Sequence, residues 1–290
     1  ACLASRRCET YVVGPLDRSL RDQLSRAGVR WVQLPLPNSL APRDQFAAAR
    51  ALKRLVAAAG PALIHAHGFQ SALTSMLAVR HLRPRPRLVC TPYGLPPLVG
   101  LSSPARLLRR FVYRRILARC DAIVAGSRSE GELLSRFIGR GGMIDNGRIS
   151  VVPPGVERRS PTGLFDVGHK RRSVGLHPDA AVVVTSVPEH HPELLEDFLH
   201  AAALLSDDMA NVEFAVIGDT PDLDRLKAVA HELRLTGNAV FLGERADAQD
   251  IIASCNVMAV LASDPWSVPE TLRALAQGVR VVAPDTAAVR

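Results

Sequence analysis

The sequence predicts an α/β protein of two doubly wound domains, each a parallel sheet covered by helices, and three observations carry that expectation. Short apolar, β-branched runs alternate with helix-length segments from one end to the other, the signature of βα units. The alternation lapses once, between Val152 and Ala181, where Pro153-Pro154-Gly155, a charged stretch and Pro161-Thr162-Gly163 intervene. Charge divides in the same region: residues 1–160 hold 26 Lys and Arg against 9 Asp and Glu, and residues 161–290 hold 10 against 19. Halves of +17 and −9 thus hide inside a net charge of +8. A hinge near residue 160 is therefore expected to separate a domain of residues 1–160 from one of residues 161–290. With 290 residues, 47% of them apolar, the chain can bury two cores of ordinary size.

The first domain reads as about six strands: Thr10–Gly14, Val29–Pro35, Ala62–His67, Leu88–Pro92, Ala122–Gly126 and Ile149–Val152. Helices lie between them. In Asp44–Ala59, the residues Phe46, Ala49, Leu52, Val56 and Ala59 recur at helical spacing and mark the expected buried stripe. Gly28 and Gly60 stand where a left-handed residue ends a helix. The run Arg106–Arg119 interleaves six arginines with Leu107, Leu108, Phe111, Val112, Ile116 and Leu117. That composition suits an anionic leaflet or a lipid phosphate. A helical wheel, however, spreads the arginines around the circumference instead of gathering them on one face.

The second domain restarts the alternation with strands Ala181–Val187, Val212–Gly218, Ala239–Gly243, Val257–Leu261 and Val279–Ala283. Leu194–Leu205 and Leu223–Leu233 between them carry apolar stripes at helical spacing, and Asp222 or Asp224 complements the dipole of the latter. Two open parallel sheets joined by a hinge place a ligand where the loops at the carboxyl ends of their strands converge.

Composition excludes several classes. The longest apolar runs, such as Val257–Ala262, are strand-sized, well short of the roughly 18 residues of a membrane span. The five cysteines, Cys2, Cys8, Cys90, Cys120 and Cys255, are scattered without CxxC pairs or histidine partners, so neither a disulfide framework nor a bound metal is expected. They read as buried small hydrophobes in a reducing cytosol, and a cytoplasmic location, peripheral at the inner membrane face if the basic half meets lipid, is the expectation. With 4% aromatic residues and no recognisable module, no nucleic-acid partner is expected. The +17 half either projects a field toward anionic surfaces or reflects an arginine-rich composition. The chain begins at Ala1, and an upstream piece is expected to be missing.

Four ordered segments carry a family resemblance. Leu63-Ile64-His65-Ala66-His67-Gly68 is similar to a D-V-V-H-A-H-G strand end. Cys120-Asp121-Ala122-Ile123-Val124-Ala125-Gly126-Ser127 resembles A-D-x-V-V-A-x-S before a helix. Ile149-Ser150-Val151-Val152-Pro153-Pro154-Gly155-Val156-Glu157 resembles I-x-V-I-P-N-G-V-D, with proline for asparagine. Phe241-Leu242-Gly243, followed by Ala274-Leu275-Ala276-Gln277-Gly278-Val279-Arg280-Val281-Val282-Ala283, resembles F-L-G and a later E-A-M-A-x-G-x-P-V-V-A. Together they resemble family 4 of the retaining glycosyltransferases over essentially the whole chain. That resemblance implies the GT-B fold, two Rossmann-like domains facing a cleft. It also implies a chain short of the first strand with its glycine-rich loop and of the final elements after Arg290.

The implied reaction moves a sugar from a nucleotide-diphosphate donor to a glycan, polysaccharide or lipid-linked acceptor hydroxyl, with retention of configuration and without a cofactor or bound metal. The second domain would hold the donor, near Gly218, Gly243, Ser263, Asp264 and Glu270. In the family an Arg and a Lys after that domain's first strand neutralise the diphosphate. The matching stretch here, Thr185-Ser186-Val187-Pro188-Glu189-His190-His191-Pro192-Glu193, holds neither; His190 or His191 would substitute if protonated, or is simply solvated. The family's paired glutamates align with Pro265 and Arg273, leaving Asp264 and Glu270 as nearest carboxylates, with a plain helix-start role the alternative for Glu270. In the first domain His67 ends a strand where side chains face the cleft, while His65, on the same strand face, reads as a core histidine. Tyr93 takes the place of a histidine that contacts donor or acceptor in many relatives. Ser127 and Arg128 at a helix start are acceptor or phosphate contacts, or Ser127 is a capping serine. A non-catalytic relative kept for binding or assembly is the competing expectation, motivated by the lost cations and glutamates. A sugar-nucleotide epimerase fits the four segments less well.

Overall fold

The structure, a computed structural model, describes residues 8–37, 41–95, 102–139, 147–156, 166–188, 191, 193–262 and 267–285. The chain divides into two compact units at Val152/Pro153. The residues around 160 in which the hinge is expected lie outside those described.

The first unit contains β1 (Tyr11–Gly14), α1 (Arg18–Arg26), β2 (Arg30–Gln33), α2 (Pro42–Ala59), β3 (Leu63–His67), α3 (Phe69–Val79), β4 (Arg87–Thr91), α4 (Ser103–Arg119), β5 (Ala122–Ala125), α5 (Arg128–Ile138) and β6 (Ile149–Val151). All six expected strands form, but not as one sheet. β3, β4, β5 and β6 hydrogen bond in that order, all parallel, while β1 and β2 make a separate parallel pair. Val13 and Leu34 hold that pair to the rest by packing on the apolar cluster of Ala49, Leu52, Val56, Ala78 and Val79. The main core lies on one face of the four-stranded sheet. There Ala66, Leu88, Cys90 and Ile123 meet Phe69 and Ala72 of α3, Ile116 and Leu117 of α4, and Leu134 of α5.

Helix starts and stops follow local chemistry. Asp17 caps α1 through a bond from the Leu20 amide, and Gly28 and Gly60 adopt the left-handed φ expected of them, +68° and +56°. The α2 stripe departs from expectation at both ends. Phe46 and Ala59 are exposed, while Gln45 is buried and accepts a 2.7 Å hydrogen bond from Thr74 of α3. The polar pair joins the two helices, and Ala49, Leu52 and Val56 keep the rest of the expected stripe buried. Cys8, expected inside, is exposed, whereas Cys90, Cys120 and Cys255 are buried.

The second unit contains α6 (Val167–Ser173), β7 (Ala181–Ser186), α7 (Leu194–Asp208), β8 (Val212–Ile217), α8 (Leu223–Glu232), β9 (Ala239–Gly243), α9 (Ala248–Ala253), β10 (Val257–Ala259), α10 (Ser267–Ala276) and β11 (Arg280–Val282). Its five parallel strands run in the order β11-β10-β7-β8-β9. Alternation along β8 sends Phe214 and Val216 to one face, where Leu199 and Leu226 cover them, and Ala215 and Ile217 to the other, beneath Ile251, Ile252 and Ala274. Both faces are covered, which is the doubly wound arrangement. Arg171 is buried at the strand-start end and satisfies its guanidinium on Ser254 O, Pro178 O, Ala180 O and Asn256 Oδ1 at 2.8–2.9 Å. Among the described residues no helix is long and apolar enough to cross a membrane.

Candidate functional site

Register brings the carboxyl ends of β3 and β4 together, because His67 pairs with Thr91. His67 Nδ1 lies 2.7 Å from Tyr93 Oη, and His65 Nε2 lies 2.7 Å from Thr91 Oγ1. Two residues apart on one strand face, the two imidazoles stack with centroids 4.4 Å apart, and the Tyr93 ring lies 5.8 Å from that of His67. His65 is thus exposed and engaged at the rim, not a core histidine. The reason is the face it projects from: α3, α4 and α5 pack on the opposite one, the side of Ala66.

Tyr93 has a left-handed φ of +56°, a conformation that costs a non-glycine residue on the order of 1 kcal/mol. A carboxylate holds the loop in this shape. Glu130 Oε1 accepts from the Gly94 amide at 2.5 Å and Oε2 from the Gly126 amide at 2.6 Å, tying the loop after β4 to the loop after β5. Its own amide donates to Ser127 Oγ at 3.1 Å, so the Ser127 hydroxyl caps α5. Arg128 is exposed in the first turn of that helix. Glu130 is the residue that sequence reasoning passed over. The signal was there in the Ser127-x-x-Glu130 spacing of a capping box, here redirected from the cap residue's own amide to the two neighbouring loops.

Partial desolvation by the surrounding protein lowers the pKa of His67 below the ordinary imidazole value, and the same cause followed by the neighbouring His67 lowers that of His65, although both rings keep contact with solvent. Burial, then the Glu130 carboxylate, raises the Tyr93 phenol. At neutral pH the rim therefore presents two neutral imidazoles and a protonated phenol. The hydrogen bond at Nδ1 occupies one His67 nitrogen, and a neutral Nε2 can donate to or accept from a hydroxyl according to tautomer.

The second unit builds its rim mainly from backbone. Strands leave β7 in opposite directions, to β8 on one side and β10 on the other, so the switch point where α/β sheets bind ligands lies at the ends of β7 and β10. The buried Thr185 hydroxyl fastens those two ends by donating to Ala259 O at 2.8 Å. Next to them Gly218 donates to Gly243 O at 2.8 Å, with φ of +110° and +65° at the two glycines. A Cβ on Gly218 would come within 3.1 Å of Val187, and one on Gly243 within 3.2 Å of Asp219 Oδ1. That same Asp219 oxygen accepts from the Glu244 amide at 3.1 Å.

Of the other expected donor contacts, Glu270 stands in the first turn of α10, and Ser263 and Asp264 lie outside the described residues, as does His190. His191 is exposed and bonds through Nδ1 to Glu193 Oε1 at 3.0 Å, a carboxylate partner that competes with any phosphate. Among the described residues no group of three or more His, Cys, Asp or Glu is placed to hold a metal ion.

Comparison with known proteins follows the same division. The pattern of Glycosyltransferase Family 4 matches residues 1–159, and that of Glycosyl transferases group 1 matches residues 180–290. No curated protein sequence matches the chain. Among solved structures, Anabaena Alr3699/HepE in complex with UDP and glucose superposes with a TM-score of 0.72 at 18% identity, covering 95% of this chain and 73% of that one. A glycosyltransferase from Rickettsia africae gives 0.73 at 13% identity over 98% and 73% of the two chains. WaaG, a glycosyltransferase involved in lipopolysaccharide biosynthesis, gives 0.69 at 14% identity over 99% and 76%. At such identities the structures establish the shared GT-B fold. The first sequence pattern spans more than half of the residues, and on that ground the chain belongs to glycosyltransferase family 4.

Proposed function

We propose that the chain transfers a sugar from a nucleotide-diphosphate donor to a hydroxyl of a glycan or lipid-linked acceptor, with retention of configuration. The observation that carries this reading is the rim of the first unit: a neutral His67, oriented by Tyr93, at a strand end in a family 4 frame. Held neutral, the imidazole is suited to a hydrogen bond with a sugar hydroxyl and would not trap the diphosphate as a cation does. Tyr93, on a loop held by Glu130, keeps it oriented, and His65, itself bonded to Thr91, stacks against it. On the donor side the Gly218 and Gly243 loops, with Glu270, are the groups that would meet nucleoside and sugar, since they stand at strand ends beside the switch point of the sheet. Complexes of Alr3699/HepE with UDP-glucose and with UDP and glucose support a nucleotide-sugar donor. The test is a donor hydrolysis and transfer assay with UDP and GDP sugars, scoring the anomeric configuration of any product. Turnover with retention is expected; inversion, or no turnover of any common nucleotide sugar, overturns the proposal.

One observation favours a second reading, a binding or assembly protein without turnover. The segment from Val187 to Glu193 has no Arg or Lys and two Glu, and Pro265 and Arg273 stand where the family pairs glutamates. A diphosphate leaving group would meet repulsion there in place of stabilisation. Calorimetric titration with UDP and GDP separates the readings, because tight nucleotide binding together with turnover excludes the second.

A further inference from the structure

The end of the first sheet opposite His67 collects arginines. Arg85 lies two residues before β4, Asp121 and Arg148 immediately before β5 and β6, Arg80 just past α3, and Arg119 at the last residue of α4, so all five gather where the parallel strands begin. They line an open pocket of about 460 Å³, the size of a small-molecule site. Four guanidinium groups thus share it with a single carboxylate. That carboxylate is already engaged: Asp121 accepts from the Leu88 amide at 2.8 Å, from Arg85 Nη2 at 2.8 and 3.0 Å and from Arg87 Nη1 at 3.3 Å. Arg148 Nη2 donates to Ala118 O at 3.0 Å and Cys120 O at 2.5 Å, which answers the carbonyl end of α4. Arg80 and Arg119 are exposed, and among the described residues neither side chain has a partner. Holding the strand starts together therefore accounts for Arg85, Arg87 and Arg148, and leaves Arg80 and Arg119 without a task inside the fold.

We infer that this pocket binds a small soluble molecule carrying linked phosphates, with Arg80 and Arg119 as its principal contacts and Arg85 and Arg148 as fixed supports. Like charges facing one hollow repel, and an anion whose charge is spread over several oxygens relieves that repulsion. The planar fork of arginine matches phosphate oxygens two at a time, and a chain of phosphates offers enough acceptors to meet several forks at once. No aromatic side chain lines the pocket, so a nucleic-acid strand would find charge there but no surface on which to stack its bases. The pocket is separate from the sugar-transfer rim. Helix α3 begins directly after His67-Gly68 and ends beside Arg80, so its 11 residues set the two apart by about 16 Å. The inference does not rest on sugar transfer, and its test reads binding alone.

The test is calorimetric titration of the full chain with inorganic tripolyphosphate, with sulfate at matched ionic strength as the control. Saturable binding of tripolyphosphate is expected, about 10-fold or more tighter than sulfate and weakening as salt rises. Arg80→Gln with Arg119→Gln should weaken it about 10-fold and leave UDP affinity within about twofold of the parent. Both side chains are exposed, and unchanged thermal melting would confirm intact folding. A nucleoside triphosphate, titrated into the same pair of proteins, separates the sources: an affinity equal to that of tripolyphosphate assigns the pocket to the phosphate chain alone, and a tighter one, lost in the double variant, to a nucleotide. No binding of tripolyphosphate, equal binding of sulfate, or wild-type affinity in the folded double variant would overturn the inference. So would an equal loss of UDP affinity in that variant, or a single-stranded oligonucleotide that binds the pocket more tightly than tripolyphosphate does. Absence of UDP binding in both proteins would count against the proposed donor rim and not against this pocket.

Discussion

The two rims are built differently. In the first unit side chains do the positioning: His65, His67, Thr91 and Tyr93 are joined by hydrogen bonds and rings, and Glu130 fixes the loops beneath them. In the second unit the rim is shaped by glycine backbone at Gly218 and Gly243, while the most connected polar side chain, Arg171, sits at the other end of the strands. The difference teaches that one unit can be read from residue identity and the other mainly from where a Cβ does not fit. It also predicts that substitutions will separate cleanly into effects on turnover, on nucleotide affinity and on stability.

The largest expected effect breaks the second unit alone. Arg171→Ala leaves three carbonyls without their side-chain donor and Asn256 Oδ1 with the Val182 amide alone, and should destabilise that unit by about 3 kcal/mol in chemical denaturation. Loss of the same size in both units would show that they do not unfold separately. Next, His67→Ala should lower kcat about 100-fold with little change in nucleotide Kd. A matching loss of UDP affinity would put His67 on the donor and sink the division of labour between rims. Gly218→Ala is the mirror experiment: strain at φ +110° and the approach to Val187 should cost about 2 kcal/mol and weaken nucleotide binding about 10-fold in calorimetry. Glu130→Gln, which keeps an acceptor at one amide only, should reduce kcat about 10-fold and leave the Kd for nucleotide in place.

The smallest effect is a pH dependence confined to the first rim. The folded-state pKa values of His65 and His67 lie below the unfolded imidazole value of 6.5, so the folded state binds fewer protons in the window just beneath it. Stability is full above pH 6.5 and declines as pH falls through the lowered values. Thermal melting between mildly acidic and neutral pH should show this slope, and His65→Gln with His67→Gln should flatten it.

The sheet architecture was legible because its strands announce themselves by composition: β7 to β11 are near where β-branched runs place them. Side-chain placement was legible only where one force dominated. Phe46 is apolar and in phase, yet it is exposed while its neighbour Gln45 takes the buried position and bonds Thr74. His65 was assigned to the core because periodicity finds a face without saying which face is covered. Separation of β1 and β2 from the larger sheet could not be read either, since a parallel strand looks the same whichever neighbour it pairs with. Glu130 was hidden by a familiar local motif whose carboxylate reached beyond the helix it started. On the donor side, backbone geometry at Gly218 and Gly243 leaves little residue code beyond the glycines themselves.

Arg114 of α4 donates to Ile138 O at 3.0 and 2.6 Å, and its guanidinium occupies the space a Cβ on Gly139 would need, so the last turn of α5 is pinned to α4. The first turn of α5 holds Glu130 and, through it, the Tyr93 loop. The 11 residues of α5 make a strut about 16 Å long between those anchors. Pressure on the outer surface and the aim of the His67 ring are thereby two ends of a single stiff linkage.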